Sequence, residues 1–375
     1  MTSNITVGTE LRVNCSREEL GEKLGLVNRA VSSRSSVQIL SGIMLRGSEG
    51  QLELSATDME LSLRTGLAAG VEGDGAVVVP GRLLVELVRL LPTGEVTLEY
   101  QTEESALHVV SGSAEYRLRT YAVEDFPRLP DVQGASLHTV ATEPLLETIS
   151  RVGRAASRDE SRPVLTGILV RFEPGKLVMA ATDSYRLAVK ETPLSAELPE
   201  MEAIIPARAL EELRRIATGT ETVQLGMLDN HAVFAVADVL LTTRRIDGQF
   251  PNYKQLLPET FEHEVRMPRE ELFDVVRRTA VMAQRNSPLR LRFDDGELTI
   301  SAQTQDVGES RETLPVAFSG EAFEIGFNAE FLRDGVESAA SEEFVLKLIN
   351  PLRPGLIVGA EDDFWYLIMP IRLAG

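Results

Sequence analysis

The 375 residues suffice for two or three ordinary domains, and an apolar share of 43% gives each enough side chains for its own core. A single cysteine, Cys15, excludes a disulfide framework and points to a reducing cytoplasm, and no apolar run approaches a membrane span or a secretory leader. A formal charge of −19 favours solubility and, as a bulk property, speaks against a nucleic-acid partner.

In chain order, "SREELGEKLGLVNRAVSSR" opens with Ser16 and two acids, a helix N-cap signal, and places Leu20, Leu24, Val27 and Val31 at helical spacing. It predicts a helix over 17–34, then a polar loop and a short apolar strand. "SATDMELSLRT" (55–65) reads as two strands about a turn. "AVVVPGRLLVELVRLLPTGEVTLEY" (76–100) reads as a strand, a helix over 82–91 entered behind Pro80, a glycine turn and a strand. "YRLRTYAVEDFPRLPD" completes the set.

The order then begins again. "TEPLLETISRVGRAASRDESRPVLTGILVR" (142–171) predicts a helix over 143–158 with Leu145, Ile149, Val152 and Ala156 on one face. "AATDSYRLAVK" (180–190) follows, placing Asp183 125 residues after Asp58. "AIIPARALEELRRIATGTETVQLGM" (203–227) carries a helix over 207–217, and "LLTTRRIDGQFPNYKQLLP" repeats the Phe-Pro ending. A third, fainter set has helices over 269–285 and 328–340, "LTISAQTQDVGESRET" in place of the ATD phrase, and "DFWYLIMPIRL" at its close. Repetition of helices, turns and strands in one order marks a duplicated structural unit rather than a duplicated motif. The expected fold is α+β: three tandem domains over 1–128, 138–252 and 262–375, each with two amphipathic helices on antiparallel sheet. Pro-rich stretches 127–137 and 251–262 read as the linkers.

Two repeated aspartates, Asp58 and Asp183, invite a metal-assisted hydrolase reading. The simpler one is a turn aspartate joining two strands, since the third repeat has Gln303-Thr304 there and no acidic cluster or phosphate loop accompanies either copy. His108, His138, His231 and His263 lack metal-ligand spacing, and His138 and His263 read as exposed. Cys15 reads as a small buried apolar residue. No nucleophile elbow, P-loop or dinucleotide fingerprint occurs, so neither catalysis nor a cofactor is expected. The six helical segments are mildly basic, nearly all through arginine, while the strands and loops hold the negative charge. Helix-dipole complementation explains part of this, and a shared basic helical face explains it equally.

With three tandem units and the phrases "ATDSYRLAV", "DGQFPNYKQLLP" and "MPIRL" in register, the chain resembles the bacterial DNA polymerase III β sliding-clamp family over all but its first ten residues. The resemblance implies a head-to-tail homodimer closing a ring around double-stranded DNA, with helices lining the hole. Arg34, Arg82, Arg158 and Arg208 match DNA-facing positions, and Arg29, Arg154, Arg215 and Arg278 are helix-borne candidates by pattern. It also implies a pocket for the short motif carried by the DNA polymerase III α subunit, the clamp loader and other clamp-motif proteins. The matching residues are Arg162, Leu165, Thr182, Tyr185, Arg186, Leu187, Pro251, Leu256, Asn328, Phe331, Met369, Pro370, Ile371 and Arg372. Ser184-Tyr185 stands where the family often has Gly-His, and Gln255 where it has a basic residue; Ala374-Gly375 follows the usual Arg-Leu ending. The resemblance implies no cofactor, and a cytoplasmic, nucleoid-associated protein. The alternatives are a non-ring repeat protein that binds protein partners only, the metal-dependent hydrolase, and a clamp paralogue repurposed for drug sequestration.

Overall fold

The computed structural model describes residues 11–32, 36–195, 198–283, 287–304, 308–359 and 363–373. Helix α1 (Arg17–Val27) starts where the Ser16 side chain accepts a hydrogen bond from the Glu19 amide (3.4 Å), the cap expected of that Ser and its acids. It buries Leu20, Leu24 and Val27, then tightens into a 3-10 turn at Asn28–Ala30 and leaves in extended conformation at Val31. The helix therefore ends well short of residue 34. Helices α3 (Thr142–Gly153) and α6 (Arg269–Ala280) likewise stop about a turn early. Helices α2 (Gly81–Leu90), α5 (Ala207–Ala217) and α7 (Ala329–Ala339) match their expected spans closely, and α4 (Pro163–Thr166) is a single unexpected turn. This revises the charge argument. Arg29, Arg154 and Arg158 lie beyond the helix ends, so the helices proper carry no surplus of cations over acids.

The chain forms two compact units, Met1–Thr142 with Arg215–Arg245, and Glu143–Arg214 with Ile246–Gly375. The first holds a five-stranded sheet in the order β5 (Gly70–Glu72), β1 (Leu11–Ser16), β7 (Glu95–Gln101), β8 (Ala106–Ser111), β9 (Ala114–Arg119). It also holds an eight-stranded sheet: β10 (His138–Ala141), β15 (Thr222–Met227), β16 (His231–Val236), β17 (Val239–Arg244), β4 (Leu61–Ala68), β3 (Gln51–Thr57), β2 (Gly42–Ser48), β6 (Gly75–Pro80). The second unit repeats the plan. Its eight strands run β14 (Met201–Pro206), β11 (Gly167–Glu173), β12 (Lys176–Thr182), β13 (Arg186–Pro193), β25 (Phe364–Ile368), β24 (Gly355–Val358), β23 (Glu343–Leu348), β18 (His263–Pro268). Its four-stranded sheet runs β21 (Gly308–Pro315), β20 (Glu297–Thr304), β19 (Leu289–Asp294), β22 (Phe323–Phe327). All these pairings are antiparallel.

Each eight-stranded sheet is thus built from two repeats. Strand β17 meets β4 with Thr243 opposite Leu61, and β25 meets β13 with Ile368 opposite Arg186; both residues of the second pair lie 125 positions after those of the first. The central repeat is divided, giving β10 and β15 to β17 to one unit and β11 to β14 to the other. Three outer strands are covered in one way, by donors spaced 125 residues apart. The amides of Tyr121, Ile246 and Ile371 donate to the carbonyls of Val78, Ile204 and Gly326, each at 2.8 Å. Gly167 makes this possible in the second unit: a Cβ there would lie 2.5 Å from the Ile204 side chain and 2.7 Å from that of Ile246.

Behind these covering segments sit two apolar clusters. Met44, Ala76, Val78, Val123 and Phe126 form one, with Ile39, Tyr121 and Leu129 against it. Leu169, Leu187, Val189, Ile204, Tyr253 and Leu367 belong to the other, against which Ile246, Phe250 and Trp365 pack. Phe126 and Phe250, the repeated Phe-Pro phenylalanines, pin the segment after each sheet to its core; burying such a side chain contributes about 1.5–3 kcal/mol. Among the described residues no helix is long and apolar enough to cross a membrane.

Candidate functional site

The two ATD phrases fold into the same turn. In the second unit the Thr182 hydroxyl donates to the Arg186 carbonyl (2.6 Å) and accepts from the Ser184 amide (3.1 Å). Asp183 Oδ1 accepts from the amides of Tyr185 (2.9 Å) and Arg186 (3.0 Å). In the first, Thr57 donates to the Leu61 carbonyl (3.0 Å) and accepts from Met59 (3.0 Å), and Asp58 Oδ1 takes the amides of Glu60 (3.1 Å) and Leu61 (2.8 Å). Met59 and Ser184 both adopt left-handed backbone, φ 80° and 81°. Each aspartate is a turn-former whose Oδ1 is occupied by amides of its own turn, and the hydrolase reading gains nothing from it.

Below the second turn lies a buried ionic network. Arg186 Nε donates to Asp183 Oδ2 (3.0 Å), and its Nη1 to Asp334 Oδ2 (2.6 Å) and the Tyr366 hydroxyl (3.3 Å). Its guanidinium stacks over Phe331 at 4.3 Å, while the Tyr366 hydroxyl donates to the Phe331 carbonyl (2.9 Å). Burial opposes the Arg186 charge, but Tyr366, Asp334 and Asp183 outweigh it and hold the guanidinium above its usual range. Burial pushes the Tyr366 phenol up as well. Asn328 caps α7 by accepting from the Phe331 amide (3.1 Å), which fixes that ring's helix.

Above the turn the surface is apolar. Tyr185 is 61% exposed and Met369 41%, and the Met369 amide donates to the Tyr185 carbonyl (2.9 Å). The first unit makes the same bond between the Arg244 amide and the Glu60 carbonyl (2.8 Å), and both of those exposed side chains are charged. Arg162 flanks the second turn, its Nη1 donating to the Asp183 carbonyl (3.3 Å) and Ser184 Oγ (3.1 Å).

One bonded set thus gathers Arg162, Thr182, Tyr185, Arg186, Asn328, Phe331 and Met369. Leu165 joins it through its amide on the Arg162 carbonyl (3.0 Å). Leu187 is 2% exposed in the core cluster beside Tyr253, whose amide donates to the Pro251 carbonyl. Leu256, half-exposed, ends the short turn Tyr253–Leu256. Ile371 is bonded to β22 rather than to the turn, between half-buried Pro370 and exposed Arg372. Sequence reasoning missed Asp334 and Tyr366. The available signal was an acid interrupting the buried face of α7 between Leu332 and Val336.

Of the basic candidates, Arg82 and Arg208 are exposed on α2 and α5, and Arg158 is 92% exposed with Glu330 at 4.0 Å. Arg34 lies outside the described residues. Arg29 and Arg215 are exposed. Arg154 instead chelates Glu337 (2.6 and 3.0 Å) and Arg278 binds Glu312 (2.7 Å), so their charge is offset. Cys15 is buried, and burial, with Glu19 nearby, pushes its thiol up to about 11; it is a packing residue, as expected. His138 and His263 depart from expectation: both are half-buried, and His263 stacks on Phe323 at 4.8 Å and 15°.

Comparison with known proteins gives one answer along the whole chain. Profiles described as DNA polymerase III beta subunit, N-terminal, central and C-terminal domain, match residues 11–130, 139–252 and 254–372. The beta sliding clamp of Synechococcus elongatus is 35% identical over 97% of this chain and all of its own length. That of Streptomyces coelicolor is 33% identical over the same shares. The solved DNA polymerase sliding clamp from Bacillus subtilis superposes with a TM-score of 0.92 at 26% identity, covering 98% of this chain and all of that one.

Proposed function

The chain belongs to the DNA polymerase III beta subunit family, the bacterial sliding clamps, and from that premise we propose how its residues serve the function. Two copies join head to tail through β9 of one and β21 of the other, the two sheet edges whose counterparts in the repeats are paired within the chain. The resulting ring encircles double-stranded DNA. Arg34, Arg82, Arg158 and Arg208 meet backbone phosphates without reading bases, and the acidic remainder keeps other surfaces off the duplex. Replacing all four by alanine weakens DNA retention equally on any sequence and leaves the fold intact, because the three described ones are exposed. The ring carries no catalysis or cofactor of its own; it tethers the DNA polymerase III α subunit, the clamp loader and other motif-bearing proteins in the cytoplasm, at the nucleoid. The three domains are taken as 1–128, 138–252 and 262–375.

One observation carries the tethering site. At structurally identical positions the first unit shows Glu60 and Arg244 to solvent, and the second shows Tyr185 and Met369. The turn itself does not require an exposed apolar pair, so its presence in one copy is explained by a ligand. Leu256 and Leu165 extend that surface, and Asn328 and Arg162 give it polar edges. A peptide of the form Gln-x-x-Leu-x-Phe binds there with micromolar affinity, about −8 kcal/mol, and two pockets per dimer add avidity. Calorimetric titration of that peptide, and its ability to shorten polymerase products made with the clamp, test this reading. Absence of both effects contradicts it.

A further inference from the structure

The match between the two units extends to the loop beside each turn, and there the surfaces invert. Val37 and Arg162 stand 125 residues apart, and each leads into a short helical turn, Gln38–Ser41 and Pro163–Thr166. The Leu40 amide donates to the Val37 carbonyl (3.2 Å) as the Leu165 amide does to that of Arg162. The Ser32 and Ser157 amides then donate to the Leu40 and Leu165 carbonyls (2.9 and 2.8 Å). In the second unit Arg162 Nη1 bonds Ser184 Oγ (3.1 Å), so the side chains at these two positions are neighbours. The same two positions in the first unit hold Val37 and Met59, 53% and 62% exposed. Thus the second unit has a polar pair beside its turn and an apolar pair on it, whereas the first has an apolar pair beside Glu60 and Arg244.

From this we infer that the first unit carries a docking site of its own, for a peptide segment of a partner protein with an aliphatic, a basic and an acidic side chain in that order. The aliphatic group lies on Val37 and Met59, the base meets Glu60 and the acid meets Arg244. This site is independent of the peptide reading of the second unit. The turn demands a left-handed residue, φ 80° and 81° in the two copies. Glycine or a short polar side chain is the least strained choice there, and Ser184 is one. A long apolar side chain held outward at such a position is accounted for by a ligand it touches. The charges identify that ligand. Among the described residues neither Glu60 nor Arg244 is held in an ion pair, although Arg64, on the strand that Glu60 leads into, has Glu53 at 3.8 Å. The Arg244 amide on the Glu60 carbonyl (2.8 Å) fixes the two side by side, with Met59 next to Glu60 and Val37 beyond it. The surface therefore runs apolar, acidic, basic in one line. Alternate side chains of an extended peptide share a face, so the complementary sequence is Leu-x-Lys-x-Asp. The Gln-x-x-Leu-x-Phe peptide offers nothing to either charge.

The test is methyl NMR of the full chain with isotope-labelled methionines, titrated with two synthetic peptides, Leu-Ala-Lys-Ala-Asp and the charge-inverted Leu-Ala-Asp-Ala-Lys, both blocked at their ends. The first peptide moves the Met59 signal saturably, with a dissociation constant of about a millimolar or below, and leaves Met369 still. The inverted peptide binds about tenfold more weakly or worse, because like charges then meet. Glu60→Lys with Arg244→Glu reverses that preference. Val37→Arg with Met59→Ser, which copies the second unit, abolishes binding by calorimetry, and an unchanged melting curve shows the chain still folded. A Met59 signal that stays still at several millimolar peptide overturns the site. Equal response to both peptides, or binding that survives the Val37 and Met59 exchange, does the same. Movement of Met369 in place of Met59 assigns the peptide to the second unit and overturns it as well.

Discussion

The turns at Thr57–Leu61 and Thr182–Arg186 share every backbone hydrogen bond, the left-handed residue and the link to a strand end 125 residues apart in the two copies. They differ in what stands around them. The first presents Glu60 and Arg244, with Met59 62% exposed at its left-handed position, and follows with Leu61; the second presents Tyr185 and Met369 and follows with Arg186, buried over Phe331 and Asp334. The Thr-Asp pair therefore sets geometry alone. On the proposed reading, recognition falls to the two exposed side chains, above the buried ionic network. A motif repeated in sequence need not be a function repeated.

The comparison breaks most sharply at Arg186. Arg186→Leu, which copies Leu61, removes the buried cation shared by Asp183 and Asp334, leaving Asp334 with Arg333 at 3.2 Å on its other oxygen, and costs about 3 kcal/mol. Adding Asp334→Leu recovers much of that loss, because an apolar pair of similar volume replaces the ion pair. Denaturant unfolding followed by the one tryptophan, Trp365 on β25, reads the second unit directly. Loss of similar size in single and double variants contradicts the network's role.

Next in size is the exposed pair. Met369→Ala lowers affinity for the Gln-x-x-Leu-x-Phe peptide by about 1–2 kcal/mol. The melting point barely moves, since the side chain is 41% exposed. Tyr185→Glu with Met369→Arg, which writes the first unit's surface onto the second, removes binding. Unchanged affinity with a lowered melting point assigns Met369 to the core instead.

A pH effect separates the units more gently. In the first, Asp238 accepts from Lys23 (2.5 Å) and Thr65 (2.6 Å). Partial burial works against its charge, but these donors prevail and hold the carboxyl below its usual value. A depressed carboxylate contributes stability that is present above its unfolded pKa and lost as pH falls through the folded one. Acidification below the ordinary carboxylate range therefore weakens the first unit, and Asp238→Asn removes that part of the dependence. Thermal melts across acid pH check it. The smallest effect belongs to the left-handed residues. Met59→Gly relieves strain and stabilises by about 0.5–1 kcal/mol. Ser184→Gly gives less, because it deletes an acceptor of Arg162.

Much of this was legible in the sequence. Helical spacing, the Ser16 cap, the turn aspartates and the order of elements all rest on local chemistry, and the order is displayed three times and the turn aspartate twice. The division of the central repeat between two sheets was not legible. Thr243 and Leu61 pair across a long stretch of chain, and nothing periodic in either strand announces its partner. The helix ends were overrun at α1, α3 and α6 because apolar spacing continues past the point where the backbone turns, as at Val31. Asp334 and Tyr366 read as ordinary surface or core residues until packing brought them within bonding distance of Arg186. At the candidate site the resemblance named Thr182, Arg186 and Met369, and the structure brings them into one bonded set; the contrast of Tyr185 with Glu60 emerged only from the matching hydrogen bonds of the two turns.

The claim that the chain is a closed ring on DNA is tested most directly by topology. The protein is assembled by its loader onto a nicked circular duplex, separated from free protein by gel filtration, and the circle is then cut once by a restriction enzyme. Retention on the circle in moderate salt, followed by release on linearisation and prevented by blocking both DNA ends, is the result the account predicts. Equal retention on circular and linear DNA, or none on either, contradicts it.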